Sequence, residues 1–173
     1  LRILHEKGLH TLYMGLESGS QKVLDLFGKT EQVEEMVASV RRAQDIGLHC
    51  SVMALIGLGG KDLRNEHVAG TIQAINRMEP RLLSMLRFIR IPGLPTPKAH
   101  REITEREAVE ELRDILAGLE LRRTVFRANH TSNPIPLGGR LPADKTKLID
   151  LLNQELASGE LDRFDPGPTP LFL

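Results

Sequence analysis

The sequence predicts an α/β protein built on a parallel βαβαβ run. Three β-compatible apolar stretches carry that reading: Leu9 to Leu16, Leu48 to Ile56 and Leu82 to Ile91. They recur at near-equal spacing, and each closes in a loop rich in Gly, Ser or Pro. Helix-period patterns separate them. Strands apolar on both faces belong to parallel sheets, and right-handed helical crossovers join them. In such folds ligands sit at the C-terminal ends of the strands. Here those ends are Glu17-Ser18-Gly19, Gly57 to Gly60 and Ile91-Pro92-Gly93.

Leu1 to Lys7 reads as the end of a helix, with Gly8 as its C-cap. After the first strand, Glu17-Ser18-Gly19-Ser20 supplies turn residues, and a short helix runs from Gln21 to Phe27 and stops at Gly28. Thr30 caps a longer helix whose early turns carry Glu31, Glu34 and Glu35, where the helix dipole favours anions. Its apolar face is Val33, Met36, Val37, Val40, Ala43 and Ile46. A further helix covers about Asp62 to Met78, with Val68, Ile72 and Ile75 on one face, and Glu79-Pro80 ends it. Thr104-Glu105-Arg106-Glu107 is a capping box for a long helix with Ala108, Leu112, Ile115, Leu116 and Leu119 inward. Arg122 and Arg123 follow at its end. Thr124 to His130 is compatible with an extended segment, and Thr131 to Pro142 reads as loop. A last amphipathic helix spans about Ala143 to Leu156, with Leu148, Leu151 and Leu152 inward. From Gly159 the Pro-rich tail reads as flexible. The organisation expected is residues 1–97 as the βαβαβ portion, 98–158 as a mostly helical C-terminal extension and 159–173 as a tail.

Composition excludes several classes. Of 173 residues, 23 are Lys or Arg and 23 are Asp or Glu, so the formal net charge is zero. A nucleic-acid surface or a polybasic membrane anchor needs a basic excess. Aromatic residues make up 3% with no Trp, too few for a base-stacking platform. The single cysteine, Cys50, fits a reducing compartment, and the expected location is cytoplasmic. No apolar run is long enough to span a membrane, and the N-terminal residues are not a signal peptide. The chain starts without Met, inside a helix, and so reads as a piece of a longer protein.

Four features carry candidate chemistry. Gly57-Leu58-Gly59-Gly60-Lys61 is either a tight βα turn or a backbone cradle for an anion. It is neither a Walker loop, because Asp62 follows Lys61, nor a dinucleotide fingerprint. Glu17, at a strand end, either accepts hydrogen bonds from sugar hydroxyls or caps the next helix. Lys29 by itself reads as a surface lysine. Arg127-Ala128-Asn129-His130-Thr131-Ser132-Asn133 either binds a polar or carboxylate-bearing substrate or forms a turn rich in side-chain-to-backbone bonds. His5, His10, His49, His67, His100 and His130 are scattered without metal-ligand spacing, so no metal site is expected in this chain. Cys50 reads as a buried thiol.

The run Gly15 to Ser20, then Val23-Leu24 and Gly28-Lys29, then Ala54 to Gly60 and Ile91 to Pro95, resembles the second half of a radical S-adenosylmethionine enzyme of an uncharacterised branch. The resemblance covers about Leu1 to Pro97. It implies about three strands of a partial (β/α)6 TIM-like barrel. It further implies that Glu17, with Ser18 beside it, meets the cofactor ribose, and that Lys29 pairs with the methionyl carboxylate. Leu55, Gly57 and Gly60 would back the adenine, with Met53 replacing the first glycine of the family pattern, and Pro92 would meet the adenine through its backbone. Phe126 to Lys147 resembles a C-terminal extension of the same branch. Arg127, Asn129, His130 and Asn133 are the candidate substrate contacts, or else face other side chains as the extension closes the barrel's open side. The family's Cys-x-x-x-Cys-x-x-Cys motif is not in this chain, so the 4Fe-4S cluster and the reductive cleavage to a 5′-deoxyadenosyl radical belong to a full-length parent. The isolated chain is expected to be inactive and, with a sheet edge open at Leu12 to Leu16, to self-associate. Two other readings stand beside this one: a small non-redox module binding a phosphorylated or nucleotide ligand at Gly57 to Lys61, and a structural or regulatory piece with no small ligand.

Overall fold

The structure, a computed structural model, describes residues 1–91 and 93–163. Its strands are β1 (Thr11–Glu17), β2 (His49–Ile56), β3 (Leu82–Arg87), β4 (Thr124–Ala128) and β5 (Leu137–Leu141). The helices are α1 (Arg2–Glu6), α2 (Gln21–Leu26), α3 (Val33–Asp45), α4 (Arg64–Met78), α5 (Glu105–Gly118) and α6 (Lys145–Ser158). The strands form one sheet in the order β1-β2-β3-β4-β5. β1 to β4 run parallel, and β5 returns antiparallel to β4. The predicted α/β class is what folds, with the three apolar runs as the first three strands.

The C-terminal part departs from the mostly helical extension expected for it, because it adds two strands. β4 falls in the segment compatible with extension. β5 lies inside Thr131 to Pro142, which reads as loop from sequence. Gly138 and Gly139 depress strand propensity there, and at Gly139 the packing leaves little room for a side chain. A Cβ at Gly139 would lie 3.0 Å from Cβ of Asp144 and 3.2 Å from Cδ1 of Leu148. A Cβ at Gly138 would lie 3.4 Å from Nη1 of Arg127. At the other end, Glu160–Arg163 form a 3-10 turn that sinks Leu161 into the core. Residues 164–173, most of the tail expected to be flexible, lie outside the described residues.

The helices lie on one face of the sheet. Alternation along the strands puts Leu16, then Cys50, Val52, Ala54 and Ile56, then Leu83 and Met85, then Phe126 and Ala128 into one core. The same core holds Val37, Val40, Ala74, Ile75, Leu112, Ile115, Leu116, Leu148 and Leu152 from α3 to α6. The capping box forms as read: Glu107 N–H donates to Thr104 Oγ1 at 3.1 Å, and Thr104 N–H donates to Glu107 Oε2 at 2.7 Å. α4 docks backbone to backbone on the β1–α2 turn. A Cβ at Gly70 would lie 2.5 Å from the Gly19 carbonyl, and Gly19 N–H donates to Thr71 Oγ1 at 3.0 Å.

Among the described residues no helix covers the opposite face. It presents Tyr13, which is 82% exposed, together with Gly15, Met53 and Arg127. Parallel sheets are ordinarily covered on both faces. This uncovered face therefore stands out as the place to look for a ligand.

Candidate functional site

The strand registers define one row across the uncovered face. Gly15 lies opposite Met53, Met53 opposite Ser84, Ser84 opposite Arg127, and Arg127 opposite Gly138. At ordinary strand spacing, β1 and β4 stand about 14 Å apart.

Glu17 closes the β1 end of this row. The register of β1 shifts between Gly15 and Glu17, and Glu17 takes the left-handed backbone at φ 59°. Its carboxylate folds back into the space that a side chain at residue 15 would fill, so Gly15 is the seat of the Glu17 carboxylate. Burial pushes the Glu17 pKa up, the nearby Lys29 ammonium pulls it down, and Glu31 adds a further upward push. Lys29 is exposed and close enough for its charge to be felt at Glu17.

Two contiguous cavities continue the site toward the strand ends. One of about 490 Å³ is lined by Met53, Ser84, Leu86, Arg127, Asn129 and His130, among others. The other, about 400 Å³, is mostly apolar, with Phe27, Leu55, Leu86, Phe88, Ile89 and Ile91 in its wall. Leu86 and His130 belong to both. Phe27, Phe88 and His100 pack edge to face behind the apolar cavity, with ring centroids 5.1–5.4 Å apart. Arg87 also lines it. The Arg87 guanidinium stands 3.8 Å from the Glu105 carboxylate, whose pKa burial raises and Arg87 lowers. A larger cavity of about 550 Å³ lies where β2 and β4 begin, near Arg81, Arg122 and Arg123. That is the strand end opposite to where ligands of parallel sheets sit.

His130 is oriented by its own turn. Ser132 N–H donates to His130 Nδ1 at 3.2 Å, and Ser132 Oγ lies 2.9 Å from the same nitrogen. A backbone N–H can only donate, so Nδ1 carries the lone pair and the neutral ring holds its proton on Nε2. Ser132 Oγ in turn accepts from Arg87 N–H at 3.2 Å. The side-chain-to-backbone turn expected for the Arg127 to Asn133 cluster forms at His130, Ser132 and Asn133. Arg127, Asn129 and His130 line the cavity, whereas Ser132 and Asn133 make the turn. Asn133 is buried, and its amide donates to the Met85 carbonyl at 2.8 Å.

Other sequence candidates point inward. Ser18 is fully buried, with Oγ 2.8 Å from His67 Nδ1 and accepting from Ser20 N–H at 3.0 Å. His67 Nε2 lies 3.4 Å from Glu111 Oε1, and both residues are fully buried. This Ser-His-acid line has no access for a substrate. It ties the turn after β1 to helices α4 and α5. Glu111 Oε1 also accepts from Gly57 N–H at 2.6 Å. Cys50 is buried, and burial pushes its thiol pKa up, so it is an inert thiol. Pro92 lies outside the described residues.

The Gly57 loop offers little as an anion cradle. The Gly57 N–H is taken by Glu111, the Gly60 N–H by the Gly57 carbonyl at 2.9 Å, and the Lys61 N–H by the Arg101 carbonyl at 2.9 Å. Gly57 to Gly60 are all buried. The glycines serve close packing: a Cβ at Gly60 would meet the Arg101 carbonyl at 2.6 Å, and one at Gly59 the His67 Cβ at 2.6 Å. Of the adenine-side candidates, Leu55 lines the apolar cavity, whereas Gly57 and Gly60 are sealed behind it. The phosphate-binding alternative therefore gains no support from this loop.

Sequence reasoning missed Ser84 and Leu86, and it used Met53 only as a departure from a pattern. The signal for Ser84 was present: a small polar residue between Leu83 and Met85, on the face opposite both. His67 and Glu111 gave no local signal.

No protein-family model matches the sequence. A stretch of 78 residues, 45% of this chain, is 31% identical to a protein of Pyrococcus horikoshii named as an uncharacterised methyltransferase. The matched stretch makes up 17% of that protein's length. This finding corrects the resemblance drawn from the sequence. The relative is named in the methyltransferase class, a different class from enzymes that cleave S-adenosylmethionine to a radical. Nothing supports a 4Fe-4S cluster either: among the described residues no group of three or more His, Cys, Asp or Glu is placed to hold a metal ion. Among the described residues no helix is long and apolar enough to cross a membrane.

Proposed function

We propose that this chain forms the S-adenosylmethionine-binding wall of a methyltransferase. The observation that carries the reading is Glu17: an acid held in left-handed backbone at the C-terminal end of β1, paired with Ala54, whose chain neighbour Leu55 lines an apolar cavity. The similarity to a named methyltransferase supports it.

The residues fit the parts of that cofactor. An ionised carboxylate is acceptor-only, so Glu17 suits the two hydroxyl donors of a ribose. The apolar cavity, with Leu55, Leu86, Ile89 and Ile91, takes a flat base through contact rather than hydrogen bonds. Lys29, whose charge already reaches Glu17, is the partner for the methionyl carboxylate. When bound, the cofactor supplies an electrophilic methyl group on a sulfonium. The chain's own share is to bind and orient it: Glu17 fixes the ribose, and the cavity wall excludes water from the base. In this reading residues 1–97 supply the cofactor contacts, and residues 98–158 supply acceptor contacts through Arg127, Asn129 and His130.

The same reading treats the sheet as a portion of a β/α barrel wall, with the uncovered face inward. A doubly wound sheet carries helices on both faces, whereas here α3 to α6 share one face and one core.

Isothermal titration of the chain with S-adenosylmethionine tests the proposal. Expected is saturable one-to-one binding that Leu55→Gln weakens at least tenfold, since an amide in the apolar wall desolvates without a partner. Absence of binding by the wild-type chain, or identical affinities, would remove the reading.

A further inference from the structure

We infer that Ser84, Arg127, Asn129 and His130 form the seat for an anionic group, carboxylate or phosphate, on the acceptor molecule. This deepens the function proposed above and rests on it for the word acceptor; the anion seat itself rests on geometry.

The Arg127 guanidinium is placed, not merely exposed. Its strand partner is Gly138, and Nη1 lies 3.4 Å from where a Cβ of residue 138 would stand. The guanidinium thus lies over Gly138, and Arg127 lines the 490 Å³ cavity. Several arginines of this chain are matched with acids, among them Arg64 with Asp114 at 2.6 Å, Arg77 with Glu34 at 2.6 Å and Arg122 with Glu79 at 2.8 Å, whereas others such as Arg42 and Arg81 bond Ser39 or a backbone carbonyl. Arg127 makes no such pair among the described residues.

The rest of the cavity's polar lining is rich in donors. His130 is locked as the tautomer with its proton on Nε2, so it offers an N–H rather than a lone pair. Asn129 contributes an amide and Ser84 a hydroxyl, and among the described residues no carboxylate lines the cavity. The acid of the site, Glu17, sits at the other end of the row, about 14 Å away at ordinary strand spacing. Forked guanidinium donors with further N–H and O–H groups match the in-plane oxygens of a carboxylate or phosphate, and they repel a cation. Met53 and Leu86 beside them give the acceptor's body an apolar floor.

The test uses the whole ¹⁵N-labelled chain, titrated by NMR with benzoate, phenyl phosphate, benzylamine and benzyl alcohol, with and without S-adenosylhomocysteine. Expected are saturable shifts at Ser84, Arg127, Asn129 and His130 with an anionic probe and none there with benzylamine. The tighter of benzoate and phenyl phosphate identifies the anion. Arg127→Met should weaken the anionic probe at least tenfold, and Gly138→Val, whose two γ-methyl groups crowd the guanidinium while keeping a strand-favouring residue, should weaken it less. Glu17→Gln should leave it unchanged. Equal binding of benzylamine or benzyl alcohol, or unaltered benzoate and phenyl phosphate affinities in Arg127→Met, would overturn the anion seat. Loss of S-adenosylhomocysteine binding with anion binding retained would overturn the cofactor reading alone.

Discussion

Glu111→Ala will destabilise the fold by about 3 kcal/mol, a large part of the roughly 5–15 kcal/mol that holds a domain of this size. Three losses add. The Gly57 N–H, bonded at 2.6 Å to a charged acceptor, is left buried without a partner. His67 loses the carboxylate 3.4 Å from its Nε2. Arg64, whose Nε stands 4.0 Å from Glu111 Oε2, keeps only Asp114. A buried carboxylate is itself costly to desolvate, so the comparison that decides is Glu111→Gln. Glutamine retains an acceptor for Gly57 N–H, and its loss should be about 1 kcal/mol. Chemical denaturation of the three proteins measures both. An alanine variant no weaker than the glutamine variant would show that the Gly57 bond contributes nothing.

Glu17→Gly will make the chain more stable and, on the function proposed above, weaken its binding of S-adenosylhomocysteine. A non-glycine residue in left-handed backbone costs about 1–2 kcal/mol. Glycine releases that strain but adds about 0.4–1 kcal/mol of chain entropy to the unfolded state. The net gain is about 0.5–1 kcal/mol. Burial adds a second signature. The Glu17 carboxyl is pushed above its ordinary pKa, so the folded state prefers it protonated. Its contribution to stability is fully present below the unfolded carboxylate pKa and is lost as pH rises through the raised folded value. Relative to wild type, Glu17→Gln should therefore gain stability as pH rises across that window. Hydrogen bonds to a charged group are worth about 1.5–3 kcal/mol, so both variants should lose roughly 10- to 100-fold in affinity for S-adenosylhomocysteine. Denaturation across pH, together with calorimetry, reads both effects. A glycine variant less stable than wild type, or one with undiminished affinity, would sink this assignment.

What was legible in the sequence is what local pattern controls. The capping box at Thr104 and the apolar runs of β1, β2 and β3 are decided by neighbours within a few residues, and they fold as read. Glu17 could be singled out because an acid at the end of an apolar run is a local anomaly. β5 was hidden because Gly138-Gly139 argues against a strand until Asp144 and Leu148 are seen to crowd Gly139. Ser18, His67 and Glu111 were hidden for a different reason. Their bonds join residues 49 and 54 positions apart, and no window of sequence contains both partners. The Gly57 loop misled in the same way: glycines that serve close packing against His100 and Arg101 look like glycines that admit a ligand. The resemblance to a radical enzyme rested on three short segments, each weak alone, whereas the relative matched over 78 residues is named as an uncharacterised methyltransferase.

The most direct measurement is the footprint of S-adenosylhomocysteine on the backbone amides of the ¹⁵N-labelled chain. Saturable shifts are expected at Gly15, Glu17, Leu55 and Leu86, on the uncovered face and around the apolar cavity. Shifts confined instead to Gly59 to Lys61 or to Arg81, Arg122 and Arg123, or no shifts at all, would contradict a cofactor site built on Glu17.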